Sequence, residues 1–205
     1  MSDLKRKIGI MGGTFDPVHT GHLVIAEAVR IEYDLEKVLF IPAANPPHKQ
    51  RSQVTSAIHR YIMTVMATYS NPYFYVSAIE IERPGLSYTI DTVLALIEQY
   101  GDKTEFYFIT GADAVQDLPT WRDIDHLLDV CHFIAATRPG CICSIEDVIE
   151  SFGVKGRQRI HRLATPELEI SSTDIRERVR LGRSIKYIVP ESVESYIFKE
   201  GLYIR

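Results

Sequence analysis

Two histidines, His19 and His22, flank Thr20 and Gly21 in the segment GGTFDPVHTGH, where a short apolar run hands over to a helical pattern. That spacing supports three kinds of chemistry. A helix N-terminus presents free backbone N–H groups and a positive dipole end, so an anion is favoured there, and imidazoles beside it can donate hydrogen bonds to phosphate oxygens. Histidines three apart can also share a helix face and bind zinc, although Asp16 is the nearby candidate for a further ligand. The third reading is plain capping and turn formation. Gly12 and Gly13 carry no Cβ, so the backbone can pass close to a ligand. The segment is neither a P-loop, since no G-K-[ST] closes it, nor the G-x-G-x-x-G dinucleotide fingerprint.

A second segment, EISSTDIRERVRLGRSIKY, points to the same chemistry. Ser171, Ser172, Thr173 and Asp174 are all competent N-caps, and Asp174 with Glu177 fits a capping-box spacing. The helix that follows carries Arg176, Arg178 and Arg180, with Arg183 and Lys186 just beyond. Hydroxyls and a first-turn arginine beside a helix start suit phosphate oxygens; the plain alternative is a solvated basic helix with an ordinary cap. Two anion sites of helix-start type in one small chain favour a nucleoside triphosphate.

The elements that must hold these segments follow from periodicity. Lys7–Met11 reads as a first strand and Gly21–Tyr33 as a helix with Leu23, Ala26, Val29 and Ile31 near one face. Lys37–Ile41 is a second strand, and a loop over Ala43–Ser52 follows. Ser56–Thr68 is predicted helical, with Ile58, Ile62, Val65 and Met66 on one stripe. Tyr73–Ile81 is aromatic and β-branched, so strand-like. Thr89–Tyr100 reads as a helix, while Glu105–Thr110 and His132–Ala136 read as strands. Repeated strand–loop–helix units predict an α/β, Rossmann-like mononucleotide-binding fold, a parallel sheet with helices on both faces and a small C-terminal helical part, about 166–205. The chain is expected to form a single domain over 1–205. In such sheets ligands bind beyond the carboxyl ends of the strands. The segments 12–22, 42–49, 111–121 and 170–176 all fall at such ends.

Composition sets the outer bounds. Of 205 residues, 45% are hydrophobic and 24% charged, and the net charge is −4, which excludes a global basic field for nucleic acid. Cys131, Cys141 and Cys143 suit a reducing compartment, and the C-x-C pair lacks a second pair at zinc-site spacing. With no signal-like or membrane-length apolar stretch, a cytoplasmic location is expected.

The quoted segments, together with PAANPPHK (Pro42–Lys49), RPGLSYTIDT (Arg83–Thr92), GADAVQDLPTW (Gly111–Trp121) and TRPG (Thr137–Gly140), resemble the bacterial nicotinate-nucleotide adenylyltransferases. That family lies within the H-x-G-H nucleotidyltransferase superfamily. The resemblance runs in order along nearly the whole chain; 141–165 matches no motif. It implies adenylyl transfer from ATP to nicotinate mononucleotide, giving deamido-NAD and pyrophosphate, with Mg²⁺ bridging ATP phosphates. The attacking phosphate is already an anion, so no general base is needed, and catalysis rests on alignment and charge neutralisation.

On this resemblance His19, His22 and Arg176 act on the phosphates. Gly12, Gly13, Thr14 and Phe15 lie where the two substrates meet; Ser172 and Thr173 hold the β- and γ-phosphates; Ile170 lies along the adenine; Gly111 and Asp113 contact ribose. Lys49, with His48, meets phosphate. Trp121 stacks on the pyridine, and Ser87, Tyr88 and Thr89 receive the nicotinate carboxylate at a helix start. The partners implied are small molecules, with no nucleic acid and no membrane, and a homo-oligomer is open beside a monomer. The rival readings are an adenylyltransferase for phosphopantetheine or nicotinamide mononucleotide, and a nucleotide-binding regulator without turnover.

Overall fold

Short runs of β-branched and aromatic residues alternate with helix-period segments, and this alternation becomes an α/β fold in the computed structural model, which describes residues 5–47, 54–137, 145–166 and 168–204. The elements follow in chain order: β1 (Arg6–Gly13), α1 (Thr20–Glu32), β2 (Lys37–Pro42), α2 (Ala57–Thr68), β3 (Phe74–Val76), α3 (Ile79–Glu82), α4 (Thr89–Tyr100) and β4 (Thr104–Gly111). Then come α5 (Ala112–Gln116), a 3-10 turn (Leu118–Thr120), α6 (Ile124–Val130), β5 (Cys131–Thr137), α7 (Ile145–Ser151), α8 (Gly153–Arg159), β6 (Ile160–Ala164), α9 (Ser172–Arg180) and α10 (Glu191–Lys199). The six strands form one sheet in the order β3-β2-β1-β4-β5-β6, the Rossmann arrangement expected from the sequence. The β1–β4, β4–β5 and β5–β6 ladders are parallel. The topological switch lies between β1 and β4, whose carboxyl ends carry Gly12 and Gly111. Among the described residues no helix is long and apolar enough to cross a membrane.

The chain clusters into two compact units interleaved in sequence. The first comprises Met1–Gly12, Ile25–Leu39 and Tyr88–Glu167. Its core is built from the central strands, with Ile8, Ile10, Phe106, Ile109, Phe133 and Ile134 essentially inaccessible. The second comprises Gly13–Val24, Phe40–Ser87 and Leu168–Arg205, and includes α2, α9 and α10.

Four sequence expectations are corrected here. The Tyr73–Ile81 strand stops at Val76, and Ile79–Glu82 is a one-turn helix, too short to show a period. On α1, Ala26 and Val29 are fully buried but Ile31 is largely exposed, because the helix ends at Glu32. On α2 the apolar stripe faces outward: Ile58, Val65 and Met66 are exposed, and the buried face is Arg60, Met63, Thr64, Ala67 and Thr68. The buried set keeps helical spacing, but its polar members satisfy one another, since Thr64 donates to Arg60 O and Thr68 to Thr64 O. Finally, 141–165 adds α7, α8 and the edge strand β6 within its described part, where no strand was expected.

Candidate active site

The turn between β1 and α1 belongs to the second unit. His19 is the N-cap and His22 the third helical residue of α1, and the His22 ring reaches back so that its Nδ1 accepts the His19 backbone N–H at 3.2 Å. This is capping-box geometry with an imidazole in place of a glutamate. A neutral His22 accepting at Nδ1 carries its proton on Nε2, which leaves that N–H as a donor. Thr20 N–H is taken by Ile188 O and His22 N–H by His19 O. Of the first three helical N–H groups this leaves that of Gly21 without a partner among the described residues. The phosphate and capping readings of the motif therefore coexist.

Burial sets the charge state of the pair. His19 is 7% exposed, and desolvation takes its pKa down to about 4. His22 lies well below its ordinary value, through burial first and the charge of His19 second. The two rings sit 3.7 Å apart. His19 Nδ1 is buried with no hydrogen-bond partner among the described residues, and a buried polar atom left unpaired costs free energy. A Cβ at Gly21 would stand 3.1 Å from that same Nδ1, so the glycine keeps the His19 ring in place. Phe15, in the left-handed region at φ 49°, packs edge-on against His22 with centroids 5.0 Å apart. Gly13 is required by Phe15, whose ring would lie 2.9 Å from an added Cβ, and Gly13 O accepts Ala43 N–H.

Asp16 is buried, and both carboxylate oxygens are engaged: Oδ1 accepts the Tyr203 hydroxyl at 2.7 Å and Oδ2 the Thr55 N–H at 3.1 Å. Its backbone carbonyl accepts Arg176 Nη1 at 2.7 Å, and the next carbonyl, Pro17, accepts the Ser172 hydroxyl at 2.8 Å. Arg60, almost wholly inaccessible, donates to Thr14 O, Thr55 O and Ala44 O. One guanidinium thus holds three loop segments. A cleft of about 490 Å³ opens here, lined by Asp16, Thr55, Thr173, Arg176, Glu177, Arg180 and Tyr203, with the Glu177 carboxylate paired to Arg180. The two histidines are not among its lining residues, although Asp16 of the same turn is.

Helix α9 is capped by Ser171, whose hydroxyl accepts Asp174 N–H, and not by an Asp174–Glu177 box. Those two carboxylates instead pair with Arg178 and Arg180. Arg176 differs from both neighbours: its guanidinium bonds a carbonyl and the Thr173 hydroxyl, and no carboxylate partner stands beside it among the described residues. It is the α9 arginine whose charge remains for an anion. The Ser172 hydroxyl spends its proton on Pro17 O, so its backbone N–H is what remains for phosphate. The Ile170 side chain lies 3.9 Å from where a Gly21 Cβ would stand.

The remaining expected residues lie largely in the first unit. An added Cβ on Gly12 would meet the Phe108 ring at 2.9 Å, so this glycine makes room for a neighbour as much as for a ligand. Trp121, part-buried after the 3-10 turn, meets Phe108 and Phe133 in T-shaped contacts at 5.6 and 5.9 Å. Gly111 closes β4 and is the N-cap of α5; Asp113 sits within α5 and its side chain lies outside the described set. Tyr88 is the N-cap of α4 and Thr89 its first residue, with no side-chain cap there. The Arg122 guanidinium lies over the Tyr88 ring at 4.6 Å. Ser87, in the second unit, braces the loop after β2: its hydroxyl accepts Ala44 and Asn45 N–H, and its own N–H goes to Asn45 O. Among the described residues that leaves Tyr88 and Thr89 as the backbone donors of this group. His48, Lys49, Arg138–Gly140, Cys141 and Cys143 lie outside the described residues.

Sequence reading missed Arg60 and Tyr203. A lone arginine on an apolar-looking helix gives no signal, whereas the Gly-Leu-Tyr after α10 carries the mark of a helix C-cap.

A parallel sheet of this order, with an H-x-G-H turn at the first helix start, defines a nucleotidyltransferase, and the chain belongs to the cytidylyltransferase-like family, whose profile matches residues 10–178. Within it, the chain is a member of the nicotinate-nucleotide adenylyltransferases. It is 56% identical over 198 residues to a probable nicotinate-nucleotide adenylyltransferase of Moorella thermoacetica, covering 96% of this chain and 91% of that protein. A Desulfitobacterium hafniense protein of the same description is 50% identical over 97% of this chain and 96% of its own length. In fold, the chain is similar to Plasmodium falciparum nicotinic acid mononucleotide adenylyltransferase complexed with NaAD, at TM-score 0.79 and 21% identity, covering 97% of this chain and 98% of that one.

Proposed function

We propose that this chain transfers the adenylyl group of ATP to the phosphate of nicotinate mononucleotide, giving nicotinate adenine dinucleotide and pyrophosphate in NAD synthesis. Family membership supplies the reaction. The observation that carries it at the level of residues is the buried Nδ1 of His19, without a hydrogen-bond partner among the described residues, beside the proton-bearing Nε2 of His22. Two neutral imidazoles at a helix start suit phosphate oxygens.

The mononucleotide phosphate oxygen attacks the α-phosphorus in line, that P–O bond forms, and the bond to the bridging oxygen breaks as pyrophosphate leaves. The nucleophile arrives as an anion, so no residue need remove a proton. His22 Nε2–H and Gly21 N–H donate to oxygens at the reacting phosphorus, and His19 steadies the same group. Arg176, Thr173 and the Ser172 N–H take the departing β- and γ-phosphates, where charge builds in the transition state. Ile170 lies along the adenine, with Gly111 and Asp113 at a ribose. Trp121 stacks on the pyridine, and Tyr88 and Thr89 N–H groups face its carboxylate; an amide would turn donors toward donors there. Gly12, Gly13, Thr14 and Phe15 shape the place where the substrates meet, and His48 and Lys49 are assigned to phosphate.

Magnesium, entering with ATP, would supply charge neutralisation on its phosphates. Among the described residues Asp16, the carboxylate of this turn, has both oxygens committed, to Tyr203 Oη and Thr55 N. We further propose that the chain works as one nucleotidyltransferase domain over 1–205, because the family profile over residues 10–178 runs through segments of both units.

Pyrophosphate release tests the assignment. Purified protein with ATP and Mg²⁺ is expected to turn over nicotinate mononucleotide, much more slowly its nicotinamide analogue, and phosphopantetheine not at all. Silence with all three sinks the enzyme reading; equal rates with acid and amide sink the carboxylate assignment.

A further inference from the structure

The last described residues of the chain run from a helix cap directly to the loop after β1. Gly201, at φ 63°, follows the C-cap of α10; Leu202 N–H bonds Ile197 O and Gly201 N–H bonds Phe198 O, the two bonds of a Schellman motif. This motif fixes the direction of the three residues that follow. Tyr203, itself at φ 64°, then places its hydroxyl 2.7 Å from Asp16 Oδ1. Helix α10 is in turn held to α2 by the Ser192 hydroxyl on Met66 O and by Tyr196 Oη with His59 Nδ1 at 2.8 Å.

Asp16 joins that tail to Arg176. Its side chain has two fixed donors, Tyr203 Oη and Thr55 N, and its carbonyl takes Arg176 Nη1. A buried carboxylate held from both sides cannot rotate, so the peptide that follows it keeps its carbonyl aimed at the guanidinium. Removing the Tyr203 hydroxyl frees one side of that clamp. Tyr203 also lines the cleft that Arg176 and Thr173 line.

From these contacts we infer that Tyr203 is a positioning residue of the triphosphate site, acting through Asp16 on the guanidinium of Arg176. The inference rests on the assignment of Arg176 to ATP phosphates. It makes the C-terminal tail part of nucleotide binding and leaves the pyridine side untouched. The Tyr203 hydroxyl serves as a donor throughout, because burial and the charge of Asp16 raise its pKa.

The test is a double-mutant cycle on the full chain, read by equilibrium binding of a non-hydrolysable ATP analogue and by steady-state kinetics. Tyr203→Phe is expected to weaken analogue binding and raise KM for ATP roughly tenfold, the effect of losing a charge-assisted hydrogen bond. KM for nicotinate mononucleotide should stay within about twofold. In an Arg176→Ala background the same substitution should add less than about twofold, because the group it positions is gone. Gly201→Ala strains the helix cap without deleting the hydroxyl and should give a smaller loss of the same kind, which covers the case of a poorly folded Tyr203→Phe. Equal losses in both backgrounds, or a parallel rise in both KM values, would overturn the inference. If the wild-type chain fails to bind the analogue, the assignment of Arg176 to ATP falls first, and this inference falls with it.

Discussion

His22 Nδ1 accepts the backbone N–H of His19 at 3.2 Å, so one imidazole both caps helix α1 and offers a phosphate donor. Each function uses a different ring nitrogen, and substitutions can part them. An asparagine oxygen stands near the place of Nδ1 but cannot reach as Nε2 does. His22→Asn should keep the thermal midpoint within a few degrees while turnover falls by about 10²–10³, the usual loss for one transition-state donor. His22→Ala should lose the same turnover and also about 1 kcal/mol of stability as the cap disappears. Pyrophosphate-release kinetics and thermal unfolding of both variants check this, and equal midpoints for the two would argue against the capping role.

Gly21→Ala addresses His19 in the same way. Alanine is the better helix former, so α1 itself gains. Its Cβ would nevertheless sit 3.1 Å from His19 Nδ1, closer than ordinary contact, and the ring must shift. The expected result is an unchanged or slightly raised unfolding midpoint with kcat/KM down at least about tenfold, as small misplacements of catalytic groups cost heavily. An alanine variant of normal activity would show that the position of the His19 ring is not critical.

Arg60 is the residue on which the loops around the histidine turn depend. Its guanidinium satisfies the carbonyls of Thr14, Ala44 and Thr55, and replacing it leaves three acceptors in a region where it is 1% exposed. Arg60→Met keeps the stem but none of the donors. A loss of about 3 kcal/mol or more in urea unfolding is expected, with KM rising for ATP before the fold is lost. Arg60→Lys, with one compact charge in place of a planar fork, should recover only part of it.

How much of this could be read from sequence depends on whether the signal is local. The strand–helix alternation, the H-x-G-H turn and the Ser-Ser-Thr helix start were legible because each follows from spacing and capping within a dozen residues. The α2 face was not, since its apolar stripe of Ile58, Val65 and Met66 is exposed and its buried face centres on Arg60, whose partners are carbonyls in three other segments. Strand β6 escaped because an edge strand reading Ile-His-Arg-Leu-Ala is only partly buried and looks like loop sequence. The use of the Ser172 and Ser87 hydroxyls as braces, rather than ligand contacts, likewise depends on residues remote in the chain.

The first unit also carries a titratable stack that the assigned roles do not use, and it contributes a pH dependence of stability. Arg159 Nη1 donates to His132 Nε2 at 2.8 Å, and an arginine cannot accept, so His132 holds its proton on Nδ1 and gives it to His161 Nε2 at 3.0 Å. Tyr107 stacks on His132 from the neighbouring strand, with ring centroids 4.8 Å apart. Protonating either histidine would set donor against donor. Burial, then Arg159 and His161, lower the His132 pKa to about 4, with Lys5 acting in the same sense and Glu105 against it; burial and Arg159 lower that of His161. A histidine neutral in the folded state and protonated when unfolded contributes stability that is complete above the unfolded pKa and is lost as pH falls from about 6.5 toward 4. Both rings are partly open to solvent, so screening reduces the contribution of His132 to roughly 1 kcal/mol. Urea unfolding of the wild type at pH 7.5 and pH 5 should show lower stability at pH 5. His132→Gln, which does not titrate, should reduce that difference but not abolish it, because buried His19 and His22 contribute in the same sense, and an unchanged pH slope in the variant would assign the dependence to those other groups.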